Sequence, residues 1–197
     1  MLLRAALADA GFDALVATAM PHAGGFMPAT IAHRPHFTVP GSHISGKAVV
    51  WAGLAAGAIF LVLELLVTRF VMGVNPGVMI RMIAAITQGS AMLAPPVTAD
   101  VSVTLAAVIL HFVMSLLYAF VFAFFAKGRS LQSATLLGAG YGLLLYALNF
   151  YGFTTLFPWF AEARNWGAAL AHVVFGAVLG ATYVHWAPHD HDLTPAG

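Results

Sequence analysis

From Gly46 to Met72 the chain carries no charge except at Lys47, Glu64 and Arg69, and three more apolar runs follow at about 101–126, 131–153 and 166–186. Each reaches the roughly 20 residues that a helix rising 1.5 Å per residue needs to cross a hydrocarbon core of about 30 Å. Inside that core no water can satisfy a backbone N–H or C=O, so a spanning segment of this kind must close its hydrogen bonds within itself, as a helix. The fold expected is all-α: a polytopic membrane protein whose four-helix transmembrane bundle is made of two parallel hairpin repeats, with a short interfacial helix added. The composition agrees, since 61% of the 197 residues are hydrophobic and 8% are charged, against about 25% charged in a soluble domain. A formal net charge of +1 with no Lys/Arg stripe excludes nucleic acid as a natural partner. The absence of cysteine excludes disulfides, thiolate zinc sites and iron–sulfur clusters.

The organisation follows from the breaks between runs. Asp9 and Asp13 interrupt the apolar start, which reads as a weak amphipathic helix rather than a signal peptide. Pro, Gly, Ser and His dominate 21–46, so residues 1–45 are expected to form a flexible accessory tail. The transmembrane domain is 46–187, and 188–197 is a polar C-terminal tail. Val74-Asn75-Pro76-Gly77 stops the first span. Residues 78–89 are too short to cross and read as a helix lying in the interface or folding back on the bundle. Pro95-Pro96 ends that excursion, and Thr98 or Asp100 can cap the second span. Only Lys127-Gly128-Arg129 and its neighbours separate spans two and three, which predicts a tight antiparallel hairpin. Asn165 caps span four and Pro188 ends it. Four spans return the chain to its starting side. Arg4, Arg34, Lys47, Lys127 and Arg129 on that side outweigh Arg69, Arg81 and Arg164, which places both termini in the cytoplasm by the positive-inside bias.

Within the spans a spacing recurs. Gly53, Gly57 and Glu64 lie on one helical stripe, and Gly138, Gly142 and Asn149 repeat the pattern with an amide in place of the acid. Spans two and four share a histidine followed one turn later by a small residue, His111 with Ser115 and His172 with Gly176; Gly180 extends the small stripe. Each half is then a two-span hairpin, and the halves are parallel repeats. Counted from Met72, Asp100, Phe157 and Asn165, the residues Glu64, His111, Asn149 and His172 lie roughly 10 to 17 Å below one face, at 1.5 Å per residue. They can form one intramembrane polar layer. A carboxylate at that depth is either protonated or paired, and polar side chains in a bundle face its interior. The aromatic runs at 120–125 and 150–160 read as lipid-facing or interfacial packing.

Three functions are compatible with these residues. The first is a small proton- or cation-handling, transporter-like protein that uses the Glu64, His111, Asn149 and His172 layer. The second is a non-catalytic subunit or assembly factor whose glycine faces dock on partner helices. The third is a redox subunit with haem b held between His111 and His172. His185, His189 and His191 are weak candidates for a metal ion. No Ser/His/Asp order, paired-carboxylate set or phosphate loop is visible, so an enzyme is not expected. The partners expected are the lipid bilayer and either further copies of the chain or other membrane subunits.

The segments Gly46-Lys-Ala-Val-Val-Trp-Ala-Gly53, Arg81-Met-Ile-Ala-Ala85, Pro95-Pro96, Asn149-Phe-Tyr-Gly-Phe153 and Phe157-Pro-Trp-Phe-Ala-Glu-Ala-Arg-Asn-Trp166 carry a resemblance. With them, 46–186 resembles a group of small four-span bacterial inner-membrane proteins of unknown function. Some of that group are labelled sodium:proline symporter, but symporters of that type have many more spans and unwound helices at the ion site. The resemblance therefore implies a bacterial inner membrane. The first 45 residues fall outside it, as a lineage-specific tail or an early start would.

Overall fold

The computed structural model describes residues 43–95 and 100–187. Among these there is no strand, and four helices are long and apolar enough to cross a membrane. The protein is a multi-pass integral membrane protein. The spanning helices are α1 (Gly46–Phe70), α3 (Val101–Ala126), α4 (Leu131–Ala147, with irregular turns that carry the span to Thr155) and α5 (Trp166–Trp186). A shorter helix, α2 (Gly77–Gln88), lies between the first two. The tail assigned to 1–45 falls almost wholly outside the described residues, as do Pro96, Thr98 and the C-terminal tail from Pro188 onward.

Each spanning helix starts on a polar side chain that takes up N–H groups left free at a helix start. Ser45 accepts from the Ala48 N–H at 3.3 Å, Ser130 from Ser133 at 3.3 Å and Asn165 from Ala168 at 2.9 Å. The Asp100 carboxylate receives the Ser102 N–H at 2.8 Å, the Ser102 hydroxyl at 2.7 Å and the Val103 N–H at 3.3 Å. These bonds, the hydroxyl's first, hold its pKa below the ordinary carboxylate value. Between α3 and α4 the chain reverses at Gly128, whose φ of 70° suits a residue without Cβ. The Arg129 guanidinium then donates to the Phe125 carbonyl at 2.7 Å, satisfying one of the last acceptors of α3.

Packing is uneven around the bundle. The closest pair is α4 with α5, followed by α1 with α5 and α1 with α3. Along α4 and α5 the backbones meet directly. A Cβ built on Gly138 would strike the Gly176 carbonyl, one on Gly142 the His172 carbonyl, and one on Gly180 the Ala134 carbonyl. Without a hydrophobic driving force between helices in lipid, contact this close is what small residues supply. Gly53 and Gly57 do the same for α1 against Leu116, Ala119 and Ser115 of α3, at Cβ distances of 2.7 to 3.2 Å.

The glycine faces are thus filled by this chain's own helices. Ala48, Ala52 and Ala56 of α1 are fully buried in a core shared with Phe122, Leu179 and Tyr183. Leu105, Ile109, Val113 and Leu117, one turn apart on α3, are all exposed and form a face for lipid.

Two expectations are corrected. Despite their short connection, α3 and α4 are not a tight hairpin and touch little along their length. The bulky side chains Phe122 and Tyr141 meet between them at 5.2 Å, while the glycines draw α4 to α5 instead. The aromatic runs are also not purely peripheral: Phe122 is 0% and Phe150 5% exposed.

The short helix α2 packs inward. Met79 and Met82 join Phe150, Ala163 and Ala168 in one apolar cluster, and Ala84 joins Val103 and Ala107 of α3 in another. The Trp159 indole N–H donates to the Met82 carbonyl at 3.1 Å, tying α2 to the α4–α5 connection.

Candidate functional site

Glu64, His111, Asn149 and His172 come from α1, α3, the end of α4 and α5, and all four line one cavity of about 310 Å³. Met79, Ile83 and Ile86 of α2 contribute to its wall. Near Asn149 the helix changes form: Leu148–Gly152 is a π-helical turn, in which the Phe153 N–H reaches back to the Leu148 carbonyl. Such a turn widens the backbone and re-aims the side chains on it. The carbonyl of Phe150 is taken up by the Arg164 guanidinium at 2.6 Å, which lies against the Tyr151 ring at 4.4 Å and bonds Thr154 at 3.0 Å. Arg164 thereby ties down the turn that carries Asn149.

His172 is the centre of the network. Its Nδ1 is 2.8 Å from the Ala168 carbonyl, which can only accept, so Nδ1 carries the hydrogen. The other nitrogen, Nε2, lies 3.4 Å from Asn149 Nδ2 and accepts from it. Asn149 Oδ1 in turn accepts from the Tyr118 hydroxyl at 3.0 Å. Tyr118, the amide and the imidazole form one directional chain, with Tyr141 donating to the Tyr118 backbone carbonyl at 3.2 Å.

Glu64 stands beside this chain with no bond into it. The residue is 5% exposed, and Oε1 lies 3.8 Å from His172 Nδ1, beyond hydrogen-bond reach of an N–H already given to Ala168. Among the described residues Oε1 has no hydrogen-bond partner. The nearby Thr68 hydroxyl is committed to the Glu64 main-chain carbonyl at 2.7 Å. A buried polar atom left unmet costs about 1–3 kcal/mol, and more when charged, so the surrounding fold carries a strain here.

His111 sits apart from the other three. Its Nε2 donates to the Gly57 carbonyl at 2.8 Å, and its ring stacks on Phe60 at 5.7 Å. Phe60 also meets the edge of His172 at 4.6 Å. This arrangement does not fit a bis-histidine haem, which needs a free nitrogen from each imidazole aimed at one iron. His172 has both nitrogens engaged, by Ala168 and Asn149, and so has none free for an iron, and one phenyl ring packs against both imidazoles. His185 is exposed in the last turn of α5, while His189 and His191 lie outside the described residues. Among the described residues no group of three or more His, Cys, Asp or Glu is placed to hold a metal.

The sequence reasoning missed Tyr118 and the structural part of the aromatic runs. Tyr118 is seven residues after His111, two turns along the same face, and that spacing was the available signal. Nothing in the sequence marked the π-helical turn except Gly152. Comparisons with protein families, curated proteins and solved structures find no match.

Proposed function

We propose that this protein is a small proton- or cation-handling, transporter-like protein of the bacterial inner membrane, with Glu64 as the group that takes up and releases the ion. The single observation that supports this reading most is the Glu64 carboxylate oxygen, which is buried, has no partner among the described residues and belongs to a side chain on the wall of a cavity between the spans. A structural carboxylate would be tied by donors; one left open at a cavity can change its partner. The neighbouring chain is suited to respond. A proton on His172 Nε2 would reverse the chain: Nε2 would donate to a flipped Asn149 amide, whose NH₂ would donate to the Tyr118 oxygen. His172 would then be cationic at 3.8 Å from the carboxylate. The proton thus has two stations, Glu64 and His172, 3.8 Å apart, and the rotatable Asn149 amide answers the charge on His172 from the other side of its ring.

The two-hairpin repeat belongs to the same reading, with α1 on α3 through Gly53 and Gly57 and α5 on α4 through Gly138 and Gly142. So do a cytoplasmic location for both termini and assembly with further copies or other membrane subunits.

The test is proton flux in liposomes. Purified protein should dissipate an imposed pH gradient, and Glu64→Gln, nearly the same shape without the titrating proton, should abolish the flux while keeping the melting profile. Equal flux in the variant and the wild type would overturn the assignment.

A further inference from the structure

We propose that the cavity above Glu64 binds a lipophilic organic ammonium ion, an amine with an aromatic or alkyl body. This rests on the reading of Glu64 as an ion-handling group and names its cargo. The argument begins from what the network leaves over. Tyr118, Asn149 and His172 satisfy one another, and His111 is satisfied by Gly57. The one fully buried polar side-chain atom without a partner among the described residues is an acceptor, Glu64 Oε1.

A ligand that supplies only acceptors, such as a quinone or a carboxylate, leaves that oxygen unmet. A protonated amine supplies N–H and positive charge together. The rest of the wall suits its body. Phe60, Tyr118, Phe150, Phe160 and Phe175 line the same space, and aromatic faces attract cations while excluding water. A cavity of about 310 Å³ matches a small amine rather than a lipid. The titratable groups lining the cavity around Glu64 are His172 from α5 and His111 and Tyr118 from α3, and Tyr146 of α4 also touches His172. Among the described residues no lysine or arginine lines the cavity to compete for the carboxylate.

The probe is 1-naphthylmethylamine, titrated by its fluorescence into the detergent-solubilised protein, beside the neutral 1-naphthylmethanol and the anionic 1-naphthoic acid. The amine should saturate, and the alcohol and acid should bind about 10- to 100-fold more weakly, as expected when a charge-assisted bond is missing. Glu64→Gln should weaken the amine by the same factor and leave the alcohol unchanged. Ile86→Trp, which fills the cavity from α2 without touching the polar chain, should weaken amine and alcohol together; melting curves show whether each variant is folded.

Equal affinity for amine and alcohol, or undiminished amine binding in both variants, would overturn the proposal. Glu64-dependent proton flux without any amine saturation would overturn the ligand and leave the ion-handling reading intact. Saturable, Glu64-dependent amine binding without proton flux would uphold the ligand and overturn the proton reading.

Discussion

Gly140 and Gly142 lie two residues apart on α4, and alanine at the two positions should change stability in opposite directions. Gly142 faces α5: a Cβ there would meet the His172 carbonyl, the Gly176 N–H lying just beyond. Backbone cannot swing aside as a side chain can, so the helices must part by on the order of 1 Å, a gap that forfeits a quarter to a half of each van der Waals contact. With about 50 heavy-atom pairs at 0.1–0.2 kcal/mol each, the loss is roughly 1 to 5 kcal/mol, which overlaps the 1–3 kcal/mol typical of overpacking. Gly140 faces outward, with no atom of the described residues within 4 Å of its would-be Cβ. Alanine there relieves only the helix cost of glycine and should stabilise by up to about 1 kcal/mol. The assay is reversible unfolding in mixed detergent–SDS micelles followed by circular dichroism, with both variants beside the wild type. Because the new methyl presses on the residue that carries the Asn149 contact, Gly142→Ala should also weaken Glu64-dependent flux. Two shifts of the same sign, or an unchanged Gly142→Ala, would refute the direct backbone packing of α4 on α5.

Glu64→Leu should leave His172 without its acidic neighbour but remove an unmet polar atom, so the bundle should stay folded or gain up to about 2 kcal/mol in the same SDS titration while losing all flux. A strongly destabilised Leu variant would mean that the carboxylate is bonded after all. Tyr118→Phe removes the donor at the end of the chain and strands Asn149 Oδ1, which should cost about 1–3 kcal/mol and slow flux without abolishing it. Arg164→Ala frees the Phe150 carbonyl and should raise hydrogen exchange at 149–153 ahead of the rest of α4. Asp100 has a lowered pKa in the folded protein, so its contribution is complete above the ordinary carboxylate range and is lost as the pH falls through the lowered value. Asp100→Asn should flatten that acid limb of the melting temperature, and an unchanged acid limb would show that the cap carries none of it.

The spans were legible because hydrocarbon imposes a length and forbids unpaired backbone, and caps such as Asp100 and Asn165 have a local chemical signature. Glu64, His111, Asn149 and His172 could be placed at one depth by counting residues, since helical rise is constant. Which of them touch was not legible. That His111 turns to the Gly57 carbonyl instead of joining His172 depends on how closely α1 and α3 approach, a tertiary distance set by Gly53, Gly57 and Ser115 together. The expected pairing of α3 with α4 failed for a related reason. A short loop fixes only where two helices begin, while the sizes of the facing side chains decide how close they stay. The π-helical turn escaped because the contacts that hold it, Arg164 on the Phe150 carbonyl and Phe160 against the Phe150 ring, come from beyond the turn itself.

The sparse seam between α3 and α4 makes the bundle mechanically lopsided. On one side α4 and α5 are joined backbone to backbone, like the spine of a book, and separating them breaks many small contacts at once. On the other side α3 and α4 are bridged through side chains, chiefly Phe122 against Tyr141, Tyr118 to Asn149 and the Tyr141 hydroxyl to the Tyr118 carbonyl. Thermal breathing follows the softest coordinate, so the helices part most easily along this seam, and its widening changes the Tyr118–Asn149 distance before any backbone contact is lost. The Tyr141 hydroxyl on the Tyr118 carbonyl joins the aromatic contact to the end of the polar chain, so any guest that props the seam open is felt at His172.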